Sequence, residues 1–162
     1  MLRRLEEKDA PLMLEWMYDS EINCNFRADF ASATLESAKE FIRGSFTDKD
    51  MNFAFVDEND EYMGTISLKN ISYEDSSAEY AVVARKKAQG TGAAMRATKE
   101  LLNYAFEKLK LHKVYLNVLE ENVRAQRLYE KCGFVCEGSA VDAVKIKGVY
   151  RTLKWYGIIN ER

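Results

Sequence analysis

The 162-residue sequence predicts a single α/β domain spanning 1–162, a mixed sheet with helices packed on it. Three observations carry that reading. Between Asn52 and Ala84, three strand-like runs are separated by polar turns, the pattern of an antiparallel meander. A glycine-containing loop, Lys86 to Gly92, then leads into a long helical stretch, followed by the apolar run Lys113 to Leu119. Ahead of the meander, apolar residues recur at helical spacing. Together these describe a layered domain with a strand–loop–helix–strand unit at its centre.

A short strand, Leu2 to Leu5, opens the chain. Asp9 is placed to cap a helix reaching Tyr18, with Pro11 in its first turn and Leu12, Trp16 and Met17 on one side. The polar and aromatic stretch Ser20 to Ala33 has too little periodicity to assign. Ser32 or Thr34 can cap a second helix to about Phe46, carrying Leu35, Ala38, Phe41 and Ile42 at helical spacing. The meander strands are Asn52 to Asp57, Tyr62 to Leu68 and Ala78 to Ala84. In the second, Ile66 and Leu68 are expected to face the core, while Met63, Thr65 and Ser67 take the other face. The long helix runs to about Leu109 and aligns Ala94, Thr98, Leu101 and Ala105. Val114, Leu116 and Val118 make the next run a central strand expected to be covered on both faces. A short helix, Val123 to Lys131, places Ala125, Leu128, Tyr129 and Cys132 at core spacing, and Gly133 ends it. Strands Phe134 to Ser139 and Tyr150 to Ile158 close the chain.

Composition narrows the chemistry. With 24 Lys and Arg against 26 Asp and Glu, the net charge is −2. Near-neutral charge argues against an electrostatic grip on nucleic acid, which relies on clustered cations. No apolar run approaches the ~20 residues of a membrane span, and no signal-peptide stretch stands at the N-terminus, so a soluble, cytoplasmic protein is expected. His112 is the sole histidine, which leaves no His-rich metal site. Cys24, Cys132 and Cys136 are an odd number for a disulfide framework. Cys132 and Cys136 have a spacing some zinc sites use, but a second pair of ligands is missing; reduced thiols and no metal are expected.

The informative feature is Gln89-Gly90-Thr91-Gly92, between a strand and a helix. Glycines let the backbone approach a ligand closely, and a helix start presents unpaired N–H groups to an anion. Lys86 and Lys87 would add positive charge, so a pyrophosphate is a sensible guest; a plain strand-to-helix turn is the other reading. Two competing phosphate loops fit worse. The Walker pattern lacks its Gly-Lys-Ser/Thr ending. The dinucleotide fingerprint meets Met95 where it wants a small residue, and finds no acid near Lys110 to Lys113.

A second constellation follows: Asn122, Ala125, Tyr129, Gly133 and Phe134 at fixed spacing. With the glycine loop, it resembles the GNAT superfamily of acyl-CoA-dependent N-acetyltransferases. The family's loop signature, Gln/Arg-x-x-Gly-x-Gly/Ala, maps onto Lys87 to Gly92 with lysine in the first place. The likeness in element order covers nearly the whole chain and is greatest to the branch holding ribosomal-protein alanine, polyamine and amino-sugar acetyltransferases. It implies a twisted, mainly antiparallel sheet with a central parallel strand pair, flanked by helices. It also implies acetyl-CoA as co-substrate. In that family a splayed strand meets the pantetheine arm, which falls on Tyr80, Ala81 and Val82. The loop Ala88, Gln89, Gly90, Thr91, Gly92 and Ala93 would cradle the pyrophosphate. Asn122 and Arg127 match positions that reach the cofactor; read alone, Asn122 is a helix cap and Arg127 a solvated helix residue.

The same resemblance casts Tyr129 as general acid toward the leaving thiolate and Glu79 as general base toward the amine. Read alone, these are a core tyrosine and a strand glutamate facing solvent. Some relatives carry the base on the next strand, where this chain has Asn117. Phe26, Arg27 and Phe30, and the loop around Asp142 to Tyr150, fall where relatives build acceptor pockets. The implied activity is acetyl transfer to the primary amine of a small molecule: an amino sugar, polyamine or amino acid. A protein N-terminus as acceptor and a non-catalytic CoA-binding domain are the alternatives. A homodimer is expected because relatives often dimerise.

Overall fold

The meander strands pair in sequence order. In the computed structural model, which describes residues 1–161, β2 (Met51–Val56), β3 (Tyr62–Ser72) and β4 (Ser77–Ala84) form an antiparallel run. β1 (Leu2–Arg4) adds to the free edge of β2. On the other side β5 (Lys113–Leu119) lies parallel to β4, followed by β7 (Val149–Ile159) and then β6 (Val135–Ile146), both antiparallel. The order is β1-β2-β3-β4-β5-β7-β6, with the parallel contact at the centre. This is the mixed sheet, flanked by helices, that the sequence predicts.

Helices cover both faces of the meander. On one, α4 (Ala93–Asn103) and α5 (Val123–Lys131) seal Ile66, Leu68, Tyr80 and Leu116 beneath Leu101 and Tyr129. Thr98, Leu101 and Ala105 are fully buried, as the helical spacing requires. On the other face, α1 (Ala10–Met17) and α3 (Leu35–Arg43) bury Met13, Trp16, Ala38 and Ile42 against Ala54, Val56 and Tyr62. The buried Trp16 Nε1 donates to the Tyr62 hydroxyl at 3.0 Å, and that hydroxyl also bonds Thr65 Oγ1. β3 is therefore enclosed on both sides: Met63, Thr65 and Ser67 are buried like Ile66 and Leu68. No helix among the described residues is long and apolar enough to cross a membrane.

The structure differs from expectation in several places. β6 runs to Ile146 rather than Ser139, so Asp142 to Ile146 is strand, and the expected loop shrinks to the turn at Lys147 and Gly148. Most of β6 is exposed and two register shifts interrupt it, which erases the apolar alternation that marks a strand. The unassigned stretch contains α2 (Ser20–Asn23) and a 3₁₀ turn at Phe30–Ser32. The long helix passes into a π-turn at Tyr104–Lys108. β5 buries Val114, Leu116 and Val118, while Tyr115 and Asn117 stay half-buried on the other face. Asp9 stands before α1 but caps no helix amide there; its carboxylate accepts from Glu6 N and takes both Nη atoms of Arg3, at 2.8 and 2.9 Å. Thr34 does cap α3, accepting from Ser37 N.

Close packing of the meander imposes a glycine at position 64. A Cβ there would lie 2.4 Å from both the Val83 carbonyl oxygen and Phe55 Cζ, and the carbonyl cannot withdraw without breaking the ladder. Gly148, at φ +83°, would meet no atom within 4 Å. Gly64→Ala is therefore expected to cost about 3 kcal/mol or more, the upper end of overpacking, lowering the thermal midpoint by roughly 6–12 °C. Gly148→Ala should cost only the left-handed penalty of about 1–2 kcal/mol. Equal melting of the two variants would contradict this packing.

Candidate active site

β4 and β5 run together only briefly. Their pairing covers Ser77–Lys113, Ala78–Val114 and Glu79–Tyr115 and then stops, although both strands continue. A gap opens from Tyr80 onward, bordered by one edge of β4 while β3 remains paired to the other. Backbone groups facing the gap have no strand partner among the described residues, so they are available to an extended ligand. Tyr80, Ala81 and Val82 lie along this edge.

The loop after β4 returns toward the gap. Gly90 and Gly92 adopt φ +79° and +82°, the left-handed region that favours glycine, and Gly92 is the N-cap residue of α4. Gln89, Gly90, Thr91 and Gly92 are exposed, with Ala93 half-buried and Ala88 buried beneath them. Thr91 Oγ1 bonds the Ala88 carbonyl and accepts from Ala93 N, which tightens the turn. The helix mouth is thus open, with α4's positive dipole end behind it.

The cations beside this mouth are not the expected pair. Lys86 is paired with Glu21 at 3.1 Å and Lys87 with Glu61 at 2.8 Å. Two arginines stand there instead. Arg96, one turn into α4, reaches back to the Thr91 carbonyl at 3.4 Å, and Arg124, in the first turn of α5, donates to Gln89 Oε1 at 3.3 Å. Their offsets from the motif residues were the available signals: Arg96 lies four residues, about one helical turn, beyond Gly92, and Arg124 two residues beyond Asn122. Asn122 caps α5, accepting from Ala125 N at 3.2 Å. Arg127 lies on the exposed side of α5, one turn beyond Arg124.

Tyr129 projects from α5 into an aromatic cluster. Its ring meets Tyr80 edge to face at 5.6 Å and packs against Phe134 and Tyr156 at 6.0 and 6.4 Å. Burial, with a smaller contribution from Cys132, pushes its phenol well above the ordinary tyrosine range. The Tyr129 hydroxyl has no hydrogen bond among the described residues. Since no buried side-chain polar atom there lacks a partner, this hydroxyl keeps an outlet to solvent. Tyr80 differs: its buried hydroxyl bonds Thr98 Oγ1 at 2.7 Å.

Glu79 precedes Tyr80 and so faces the other side of the sheet. Asn70 Nδ2 donates to its Oε1 at 3.0 Å, and Asn117 Nδ2 to its Oε2 at 3.5 Å. Asn117, at the position where some relatives carry a base, here steadies Glu79. Glu79 and Tyr129 therefore flank the gap at the level where it opens, from opposite faces. On Glu79's face, a cavity of about 250 Å³ lies between β3, β4 and α1, lined by Trp16, Phe26, Phe30, Lys69, Ala81 and Val83 among others. Phe26 and Phe30 line it, whereas Arg27 between them is exposed.

Comparison with known proteins gives this geometry a family. The acetyltransferase (GNAT) domain profile matches residues 1–135. A spermidine N(1)-acetyltransferase of Vibrio cholerae is 32% identical over 99% of this chain and 93% of its own length. A putative ribosomal N-acetyltransferase of Bacillus subtilis is 27% identical over 98% of the chain and 90% of its own length. The crystal structure of the Vibrio cholerae spermidine N-acetyltransferase in complex with CoA and spermine superposes with a TM-score of 0.88 at 30% identity, covering 98% of this chain and 94% of that one. The glycine mouth and the splayed strand edge suit a CoA-type ligand, and the chain belongs to the GNAT family, acetyltransferases that draw on acetyl-CoA.

Proposed function

We propose that the chain transfers the acetyl group of acetyl-CoA to the primary amine of a small molecule by direct attack on the thioester. The observation that carries this reading is the gap between β4 and β5, with Glu79 and Tyr129 on its two sides. In this reading the amides of Ala88 to Ala93 hold the pyrophosphate, with Arg96 and Arg124 as counter-charges, and Asn122 and Arg127 border the same ligand. The β4 edge at Tyr80 to Val82 hydrogen-bonds the pantetheine arm. Much of the rate then comes from holding amine and thioester together, an effect of ~7–11 kcal/mol in favourable cases.

Glu79, steadied by Asn70 and Asn117, takes the proton from the incoming ammonium, directly or through water. The nitrogen forms its bond to the acetyl carbon as the carbon–sulfur bond breaks, and Tyr129 gives its proton to the departing thiolate. The second proton that the nitrogen sheds on becoming an amide passes to solvent, from which the tyrosinate is reprotonated. Relatives named for spermidine support polyamines among the candidate acceptors, beside amino sugars and amino acids. The ribosomal relative supports a second reading, a protein N-terminus. The proposal includes a single 1–162 domain. It also includes a cytoplasmic setting, in keeping with three unpaired cysteines. A homodimer is part of it too, supported by exposed Val141, Val149 and Tyr150 on the β6–β7 arm.

Thiol release from acetyl-CoA across a panel of amines and N-terminal peptides tests the reading. Glu79→Gln and Tyr129→Phe should each lower kcat by about 10²–10⁴-fold, the span of general acid–base catalysis, with acetyl-CoA binding retained. CoA binding without amine-dependent thiol release would mark a non-catalytic domain and overturn the proposal. The pH dependence has a definite sign. A phenol held above its ordinary value of ~10 keeps its proton as pH rises, while the amine becomes a better nucleophile. The rate should therefore climb to a plateau that persists to about pH 10; a fall beginning near pH 9 would contradict Tyr129 as the proton donor.

A further inference from the structure

Cross-strand register makes a continuous row on the cavity face: Lys69 stands opposite Glu79, Ser67 opposite Ala81, and Thr65 opposite Val83. The polar groups of that wall are already engaged. Ser67 Oγ donates to Asn52 Oδ1, Asn52 Nδ2 donates to the Ser45 carbonyl, and Thr65 bonds Tyr62. Trp16, Phe26 and Phe30 close the opposite side and pack on one another, Phe30 edge to face with the other two at 5.1 and 5.3 Å. Among the described residues, no carboxylate lines the cavity. Its one charged lining group is Lys69, half-buried and without an ion pair among the described residues.

From this lining we infer that the acceptor is an α-amino acid with an apolar or aromatic side chain, its carboxylate on Lys69, its amine at Glu79 and its side chain in the cavity. The inference rests on the acetyl-transfer reading and names the acceptor of that same site. Directly opposed residues on paired strands have Cβ atoms about 5 Å apart. An ammonium and a carboxylate on one carbon therefore meet oppositely charged neighbours at Glu79 and Lys69. The cavity, at about 250 Å³, lies just below the usual ~300–1,000 Å³ of ligand pockets, which suits a compact side chain. A linear polyamine would instead set a further ammonium against hydrocarbon walls and a like charge, and desolvating an unpaired charge is expensive. On this point the chain departs from its spermidine-named relatives.

Steady-state thiol release with L-phenylalanine, L-leucine, 2-phenylethylamine and spermidine tests the inference. The two amino acids should exceed spermidine in kcat/KM by at least about tenfold. 2-Phenylethylamine, which lacks the carboxylate, should lose about tenfold to L-phenylalanine, mostly in KM. Lys69→Gln should abolish that difference, and Lys69→Glu should shift preference toward spermidine; circular dichroism confirms that each variant folds. Spermidine preferred by the wild type, or an unchanged ranking in Lys69→Glu, overturns the inference and leaves acetyl transfer standing. Thiol release with none of the four, nor with any wider amine panel, overturns both.

Discussion

The structure depends on the failure of two parallel strands to stay together. β4 and β5 share three residue pairs and then part at Tyr80. Aromatic bulk fills the space beneath the divergence: Tyr80, Tyr129 and Phe134 meet with ring centroids between 5.5 and 6.0 Å, and Tyr80 is further tied to α4 through Thr98. A sheet that closed here would bring β5 against β4 and offer no free backbone edge to an extended ligand. The cluster that props the strands apart also carries the candidate acid. Opening the gap and setting Tyr129 at its wall are thus one packing event.

Charge pairing then fixes where the glycine loop begins. Arg85, the residue after β4, is buried and donates to both oxygens of Glu15, to Glu61 and to the Tyr62 carbonyl. Exposed pairs such as Lys86–Glu21 contribute little individually, because solvent screens them. A buried guanidinium stripped of a partner costs more, roughly 3–5 kcal/mol. Buried Arg85 therefore anchors the start of the loop, the lysines beside it are already paired with carboxylates, and Arg96 and Arg124 are the cations left beside the helix mouth. The same division appears at Glu79, whose two oxygens are engaged by amides rather than by a cation.

Much of this was legible in the sequence because the signals were local. The meander, the glycine loop, the α5 motif and the caps at Thr34 and Asn122 all rest on spacing within one element. What escaped depended on contacts between elements. Lys86 and Lys87 read as uncommitted positive charge beside the loop because Glu21 and Glu61, their partners, are distant in sequence. The outer half of β6 escaped because an exposed, bulged edge strand has no apolar period. The aromatic-lined cavity was legible only in part: resemblance pointed to Phe26 and Phe30, but Lys69 comes opposite Glu79 only through the β3–β4 register, and Trp16 meets Phe26 and Phe30 only through folding of an aperiodic stretch.

Amide hydrogen exchange with and without CoA tests whether the splayed edge and the helix mouth form one ligand-binding track. CoA should slow exchange together in Tyr80 to Val82 and Gly90 to Ala93, and leave the β1–β2 edge unchanged. Protection confined to other segments, or absent from the β4 edge at saturating CoA, would contradict it.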